Sequence, residues 1–365
     1  MNRSDLIARL DLLAPAVTKN ETLIKLTHYW FTGDRVIADN TIIHMQAPLK
    51  TPFAGGVPGM RLLGLLKASR FKECKFESGH SDELLIKAVG SSTKLSFAML
   101  PATEARAISK PRTMDKDNTF TVNRKRLERA IGVQMLSVAK GEATFGMSGV
   151  TFIGRGNVLD LYSTNDAQLS HSQLKITSGS WKGRAVVPVE FLRTLLAVTD
   201  DGAKEVPLEI ESDAGDKSYI MTKGKYGIVL VGSLPVPPAT HTKPMNFDKI
   251  MEVFYPPEVQ KKLVPIPTKM ELVLERASII ESDSADEIMT DIEVAGTKAT
   301  FSTKSKKGDA WDEVELASSA KASITVSPKR VREGIGTFVN MAITDRAFIM
   351  EGNGAQYFVV PGKRE

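Results

Sequence analysis

Val187-Pro188-Val189-Glu190-Phe191-Leu192 sets the reading of this chain. The Val-Pro pair opens a segment whose apolar residues keep helical spacing as far as Val198. The same passage occurs twice more. Gly56-Val57-Pro58 leads into a helix expected over 60–70, and Ser327-Pro328 into one expected over 329–339. A basic helix-like segment and then strands come before each, and more strands follow. Repetition at this length predicts an array of similar units, each too long for a small-repeat solenoid and each with its own core.

Composition agrees. The chain has 365 residues, 42% hydrophobic and 25% charged, which is ordinary for globular domains and suits three of them. A net charge of +5 from 48 basic and 43 acidic residues is close to balance. Any polyanion-binding role therefore rests on where the charges sit. The lone Cys74 excludes an internal disulfide framework and a cysteine-rich metal site, as a reducing cytoplasm requires. Neither a signal peptide nor an 18-residue apolar run is present, so no membrane association and a cytoplasmic location are expected.

The first repeat, 1–110, opens with a helix N-capped by Ser4, with apolar residues at 6, 7, 10 and 13. Strands are expected at 22–26, 28–31, 36–39 and 41–46, then the helix carrying Leu62, Leu63, Leu65 and Leu66, then strands at 84–89 and 94–99. A charged connector interrupted by Pro111 follows. The second repeat, 118–238, has a helix from 121 toward 139, strands at 150–153, 159–163 and 173–177, the Val187-Pro188 helix, and strands at 206–210, 219–222 and 226–231. Pro235, Pro237, Pro238 and Pro244 mark an extended connector. The third, 245–365, has a helix over 270–280 and strands at 287–294, 298–302 and 310–316. The Ser-Pro helix and strands at 347–351 and 357–360 complete it.

Cations recur at equivalent places. The first helices or the segments beside them carry Arg3, Arg9 and Lys19, then Arg124, Lys125, Arg126 and Arg129, then Arg276. The second helices carry Lys67 and Arg70, then Arg193, then Lys329 and Arg330. Acids such as Glu128 and Glu333 sit among them, so one helix alone reads as a solvated face. Threefold recurrence instead favours a shared surface toward a polyanion, with these thirteen residues as its candidates.

Along its whole length the sequence resembles a bacterial-type DNA sliding clamp, the beta subunit of the replicative DNA polymerase III, in a divergent form. The strongest stretch is Leu159-Asp160-Leu161-Tyr162-Ser163-Thr164-Asn165-Asp166-Ala167-Gln168-Leu169, similar to the family's L-x-x-V-A-T-D-G-H-R-L. Val187-Pro188-Val189-Glu190-Phe191-Leu192 resembles its V-P-R-K-x-L, Ile37-Ala38-Asp39-Asn40 its T-A-T-D, and Tyr357-Phe358-Val359-Val360-Pro361 its Y-V-V-M-P. The resemblance implies an α+β fold of three clamp domains, each with two helices on antiparallel sheets. Two chains then close head to tail into a six-domain ring. It further implies a non-enzymatic processivity factor that encircles double-stranded DNA without reading sequence, with no cofactor. Its partners would be a DNA polymerase and a clamp loader.

Two further sites follow from the resemblance. The dimer interface would bring Arg61, Lys94, Leu95 and Phe97 of one chain against Ile279, Ile280, Asp309, Asp312 and Glu313 of the next. The strand at 94–99 alternates apolar and polar residues, and left unpaired it would be an aggregation hazard. A partner-peptide pocket would be lined by Met147, Thr164, Leu169, Phe358, Val360 and Pro361. The sequence departs from the family at Asp166-Ala167-Gln168 and at the tail Gly362-Lys363-Arg364-Glu365. Such drift suits a clamp whose partners coevolved separately, as for one encoded by a bacteriophage.

Other chemistry finds little support. His28, His44, His80, His171 and His241 are scattered without metal-ligand spacing. Gly146-Met147-Ser148-Gly149 falls one residue short of a nucleophile elbow. Gly154-Arg155-Gly156 lacks the Lys-Ser/Thr of a phosphate loop and reads as a hairpin turn, while 282–286 reads as a polar loop. Trp30, Trp181 and Trp311 are too dispersed for a base-stacking platform. Two alternatives stay open: a clamp-fold DNA-binding protein that closes no dimeric ring, and a DNA-processing enzyme whose site the sequence does not reveal.

Overall fold

A computed structural model describes residues 1–19, 21–78, 82–107, 113–115, 117–139, 147, 149–212, 218–235, 245–280, 289–305 and 308–362. Pro111, Pro237, Pro238 and Pro244, the polar loop 282–286, His80, His241 and the tail 363–365 lie outside them. The chain forms two compact units, Met1–Arg124 with Ile176–Val236, and Lys125–Lys175 with Pro237–Glu365.

The first unit begins with α1 (Arg3–Leu13), β1 (His28–Thr32), β2 (Arg35–Asp39), β3 (Ile43–Pro48), β4 (Ala54–Pro58) and α2 (Gly59–Ala68). Next come β5 (Cys74–Ser78), β6 (Glu83–Ala88), β7 (Lys94–Ala98) and β8 (Thr119–Asn123). The second unit opens with α3 (Arg124–Gln134), β9 (Gly149–Gly156) and β10 (Val158–Thr164), and the boundary falls inside β11 (Gln168–Ser178). The chain returns to the first unit for β12 (Trp181–Pro188), α4 (Val189–Val198), β13 (Glu205–Glu211), β14 (Tyr219–Lys223) and β15 (Val229–Ser233). The rest of the second unit is α5 (Phe247–Phe254), α6 (Pro257–Gln260), β16 (Val264–Pro265), α7 (Met270–Ile279), β17 (Thr290–Ser305), β18 (Gly308–Val326), α8 (Pro328–Gly334), β19 (Asn340–Ile343), β20 (Phe348–Gly352) and β21 (Ala355–Val359).

Both units are α+β with antiparallel sheets. In the first, eight strands run in the order β8-β13-β14-β15-β3-β2-β1-β4, and β5-β6-β7 form a smaller sheet. The β15–β3 pairing, Val229 opposite Gln46, carries the large sheet across the repeat boundary expected at 110–118. In the second unit β16-β19-β20-β21-β11-β10-β9 form one sheet and β17-β18 a long hairpin. There β11–β21, with Leu169 opposite Phe358, crosses the boundary expected at 238–245. Strand pairing across repeats gives two compact units where the sequence pattern has three periods.

The proline junctions fold as their chemistry requires. β4 and β12 run directly into α2 and α4, and Pro58 and Pro188 sit at the N-caps with φ of −54° and −60°. Proline's fixed φ suits the last extended residue, and its missing N–H is tolerable at a helix start. In the third copy Ser327 caps α8, accepting from the Arg330 N–H at 3.4 Å. Leu6, Leu10 and Leu13 of α1 are buried, as are Leu62, Leu63 and Leu66 of α2. α7 buries Met270, Val273, Leu274 and Ala277, and the first three join a core with Ile292, Phe301, Val314 and Ile324 of the hairpin.

Several elements differ from expectation. Asn2, not Ser4, caps α1, accepting from the Ser4 and Asp5 N–H groups. The segment at 22–26 is 3₁₀ helix with a break at Leu23, not strand. α3 ends at Gln134, and α8 stops at Gly334, where a Cβ would strike the buried Met350 and Tyr357. The strands at 287–294 and 298–302 are one strand, β17. Helix α5 was absent from the sequence reading.

Gly224 meets the end of α4 so closely that a Cβ would strike the Val198 carbonyl oxygen, which is backbone and cannot rotate away. Gly224→Ala is expected to cost roughly 2 kcal/mol by overpacking. An earlier urea midpoint with unchanged slope is the readout.

Candidate nucleic-acid interface and partner pocket

The structure divides the candidate cations by what already holds them. In the first unit Arg3 donates from Nη1 to Leu66 O at 3.0 Å and also to Ser69 O. It thereby ties α1 to the end of α2. Arg124 is buried and pairs with Asp201 at 2.8 Å. Both were expected to face nucleic acid; in the structure each is engaged within its own chain. Arg9 pairs with Asp5 and lies 5.0 Å over the Tyr226 ring, and Lys67 pairs with Asp11 at 2.7 Å. Lys19, Arg70 and Arg193 are exposed.

In the second unit α3 exposes Lys125, Arg126 and Arg129. The helix is fastened to the sheet by Gln134, whose Nε2 donates to Ser172 Oγ at 3.0 Å and whose backbone oxygen accepts from Ser163 Oγ at 2.8 Å. Lys329 is exposed on α8 and Arg330 is half-buried. A cavity of about 430 Å³ lies between them and the end of α3, and Asn165, Gln168 and Glu333 also line it. Arg276 pairs with Asp312 at 2.9 Å.

Of the expected pocket residues, Thr164, Leu169 and Phe358 share the other face of this sheet. Leu169 and Phe358 are opposite each other across β11–β21 and are buried with Tyr162, Phe247, Ala347 and Ile349. Thr164 is buried, its hydroxyl donating to Gln168 O at 2.8 Å. Val360 and Met147 are half-buried and Pro361 is exposed. The Val360 N–H donates to Ala167 O at 3.0 Å.

Sequence reasoning missed α5, which covers this cluster with Ile250, Met251 and Phe254, while Tyr255 meets Phe358 edge-on at 5.9 Å. Val253 on α5 is 46% exposed beside them. The signal was present: Asn246 accepts from the Lys249 N–H at 3.1 Å, and Phe247, Ile250, Met251 and Phe254 keep i, i+3, i+4, i+7 spacing.

A polar network ties α5 to the sheet. Asp160, only 3% exposed, accepts from Arg155 Nε at 2.9 Å and Gln173 Nε2 at 3.0 Å, and lies 3.0 Å from His171 Nε2. Arg155 also pairs with Asp248 of α5. Tyr162 stacks between His171 and Phe247, at 4.5 and 4.4 Å. Burial pushes the Asp160 carboxyl upward. Its contacts with His171, Gln173 and Arg155 outweigh burial and hold it below the usual carboxylate range.

The expected dimer-interface residues are also sorted. Arg61 and Lys94 are exposed, Leu95 is half-buried and Phe97 is buried within its own unit. β7 is the edge of its three-stranded sheet. Ile279 is 67% exposed, Ile280 is half-buried and Asp309 is exposed. Glu313 pairs with Lys298 at 2.8 Å, so both Asp312 and Glu313 already have cations in their own chain. Trp311, next to Asp312, is 62% exposed. No group of three or more His, Cys, Asp or Glu placed to hold a metal occurs among the described residues, and no described helix is long and apolar enough to cross a membrane.

No protein-family model and no curated protein matches this chain. Solved structures do. A DNA polymerase III beta subunit from Eubacterium rectale superposes with a TM-score of 0.83 at 12% identity, over 100% of this chain and 98% of that one. The beta subunit from Thermotoga maritima gives 0.80 at 16%, over 100% and 99%. The DNA polymerase sliding clamp from Bacillus subtilis gives 0.80 at 14%, over 100% and 98%. The chain therefore has the fold of these proteins from end to end.

Replacing Asp160 with Ala removes the acceptor shared by Arg155, His171 and Gln173 and is expected to cost about 1–3 kcal/mol. Because the folded carboxyl titrates below its unfolded value, its contribution is present above the ordinary range near ~4 and is lost as pH falls through the folded value. Urea titrations should show the wild type losing stability in that acid window, and Asp160→Asn losing less.

Proposed function

We propose that this protein is a DNA polymerase processivity factor, a sliding clamp that encircles duplex DNA and tethers a replicative polymerase. The observation that carries the reading is the likeness of fold along the whole chain, at a TM-score of 0.83, to a DNA polymerase III beta subunit. Each chain contributes three clamp domains, 1–110, 118–238 and 245–365, and two chains close head to tail into a ring. A clamp loader opens the ring on DNA in the cytoplasm. The protein acts without turnover: threading retains it, and the polymerase released from a primer end rebinds before it escapes.

Exposed Lys19, Arg70, Arg193, Lys125, Arg126, Arg129 and Lys329 make phosphate contacts that carry no sequence information and so permit sliding. Arg61, Lys94 and Leu95 of one chain meet Ile279, Ile280 and Asp309 of the next. Asp312 and Glu313 are neutralised within their own chain, and exposed pairs contribute only roughly 0–1 kcal/mol. The apolar Ile279 therefore outweighs the acidic run in closing the ring. Partner peptides seat against Val360, Pro361 and the exposed side of α5, above the buried Leu169–Phe358 pair.

Three measurements test this reading. Loaded protein should stay on a closed circular duplex at salt that strips it from linear DNA, and leave once the circle is cut. Equal release from closed and cut circles would refute encirclement and favour a clamp-fold DNA-binding protein that closes no ring. Ile279→Asp should shift the solution mass from dimer to monomer at micromolar protein. Changing Val253 and Val360 to Asp should abolish polymerase stimulation while the dimer persists, since apolar anchors dominate such contacts.

A further inference from the structure

The turn at 165–168, between β10 and β11, has contacts on two sides of the second unit. On one side Ala167 O accepts from the Val360 N–H at 3.0 Å. On the other, the buried Gln168 reaches α8. Its Nε2 donates to Glu333 Oε2 at 2.9 Å and to the Tyr357 hydroxyl, and that hydroxyl donates to Arg330 O at 2.9 Å. The turn therefore holds α8 at two points, Glu333 directly and Arg330 through Tyr357. Asn165 Nδ2 donates to Gln168 Oε1 at 2.6 Å, so both ends of the amide are engaged.

The turn itself is pinned. Asn165 Oδ1 accepts from the Ala167 and Gln168 N–H groups at 3.3 and 2.9 Å. Asp166 has φ of +71°, a left-handed geometry that a non-glycine residue keeps where its surroundings impose it. The cavity of about 430 Å³ lies beside this turn, lined by Asn165, Gln168 and α8 residues and by Met135, Leu136 and Val138. Across that space close packing does not set the position of α8, so the Gln168 contacts do. The opposite side of α8 is packed, with Val331 buried and Gly334 close against Met350.

We propose that Gln168 is a positioning residue that couples the partner-peptide edge to the DNA-facing helix α8. A partner seated against Val360 and Pro361 competes for the contact between the Val360 N–H and Ala167 O. Releasing that contact loosens the turn, and Gln168 relaxes its hold on Glu333 and Tyr357. α8 then tilts about its packed side toward the cavity and carries Lys329 with it. Occupancy of the peptide edge thereby weakens duplex contact at α8. Duplex weakens partner binding by the same factor, because linkage between two sites is reciprocal. The assignment rests on the reading that partners use the Val360 edge and DNA the α8 face, and it adds a physical connection between them.

The test uses the full-length protein, isotopically labelled, and a 20-base-pair duplex. Val360→Pro deletes the N–H at issue, and a residue preceding Pro361 already favours the extended backbone that proline accepts. It should move the Gln168, Lys329 and Glu333 amide resonances and lower duplex affinity roughly two- to fivefold, the low end for coupled sites. In a Gln168→Met background the same substitution should leave α8 and duplex affinity unchanged, since a double-mutant cycle isolates the shared contribution. Glu333→Ala, at an exposed position, removes the receiving group instead and should uncouple the sites even if Gln168→Met fails to fold. Duplex added to the wild type should move the Ala167 and Val360 amides, and Gln168→Met should abolish that movement. Unmoved α8 resonances in Val360→Pro, or effects that simply add in the double variant, overturn the coupling while duplex binding persists. Failure of every form to bind duplex overturns instead the DNA reading on which the assignment rests.

Discussion

The pairing of β11 with β21 is the constraint on which the candidate sites of the second unit depend. Leu169 lies opposite Phe358 and Ser170 opposite Tyr357, and side chains alternate between faces along both strands. Leu169 and Phe358 therefore join the apolar cluster beneath α5. Gln168, Ser170 and Tyr357 turn to the helices: Gln168 Nε2 donates to Glu333 of α8 at 2.9 Å, and the Tyr357 hydroxyl donates to Arg330 O at 2.9 Å. A slip of one residue would exchange the two sets, leaving polar groups under α5 and apolar ones under α3 and α8. One register thus sets both the apolar pocket face and the cationic helix face.

Charge on this protein is divided between holding the fold and meeting solvent. Buried Arg124 and Asp160 each have a partner of opposite sign, because an unpaired buried charge would cost several kcal/mol. Arg3 is engaged by carbonyls and Arg276 by Asp312. What remains exposed on the helices is a set of lysines and arginines, Lys125, Arg126 and Arg129 on α3 and Lys329 on α8 among them.

The repeat of proline junctions was legible because it depends on local chemistry: Pro58, Pro188 and Ser327 cap helices in the structure as in the sequence. Most strands were legible from alternation, as for β6 with its buried Leu84, Ile86 and Ala88. The burial of Arg124 was not, because it depends on Asp201, far away in sequence. Neutralisation of Asp312 and Glu313 likewise depends on α7 and on the partner strand β17. The family pattern pointed to Leu169 and Phe358, but not to the helix that covers them. The 430 Å³ cavity was invisible, since it joins Met135 to Lys329, about 190 residues later.

The order in which these strands are made has a consequence for biosynthesis. β21 sits between β20 and β11 in its sheet, and Phe358 pairs with Leu169 about 190 residues earlier. At about 5–20 residues per second, β11 waits roughly 10–40 s on the ribosome for its central neighbour. Throughout that interval its edge is bare, and the apolar face around Leu169 waits about 80 residues for α5, which makes the nascent chain a hazard for pairing between neighbouring chains. β21 closes the sheet between β20 and β11, and a chain stopped short of it would leave that edge open.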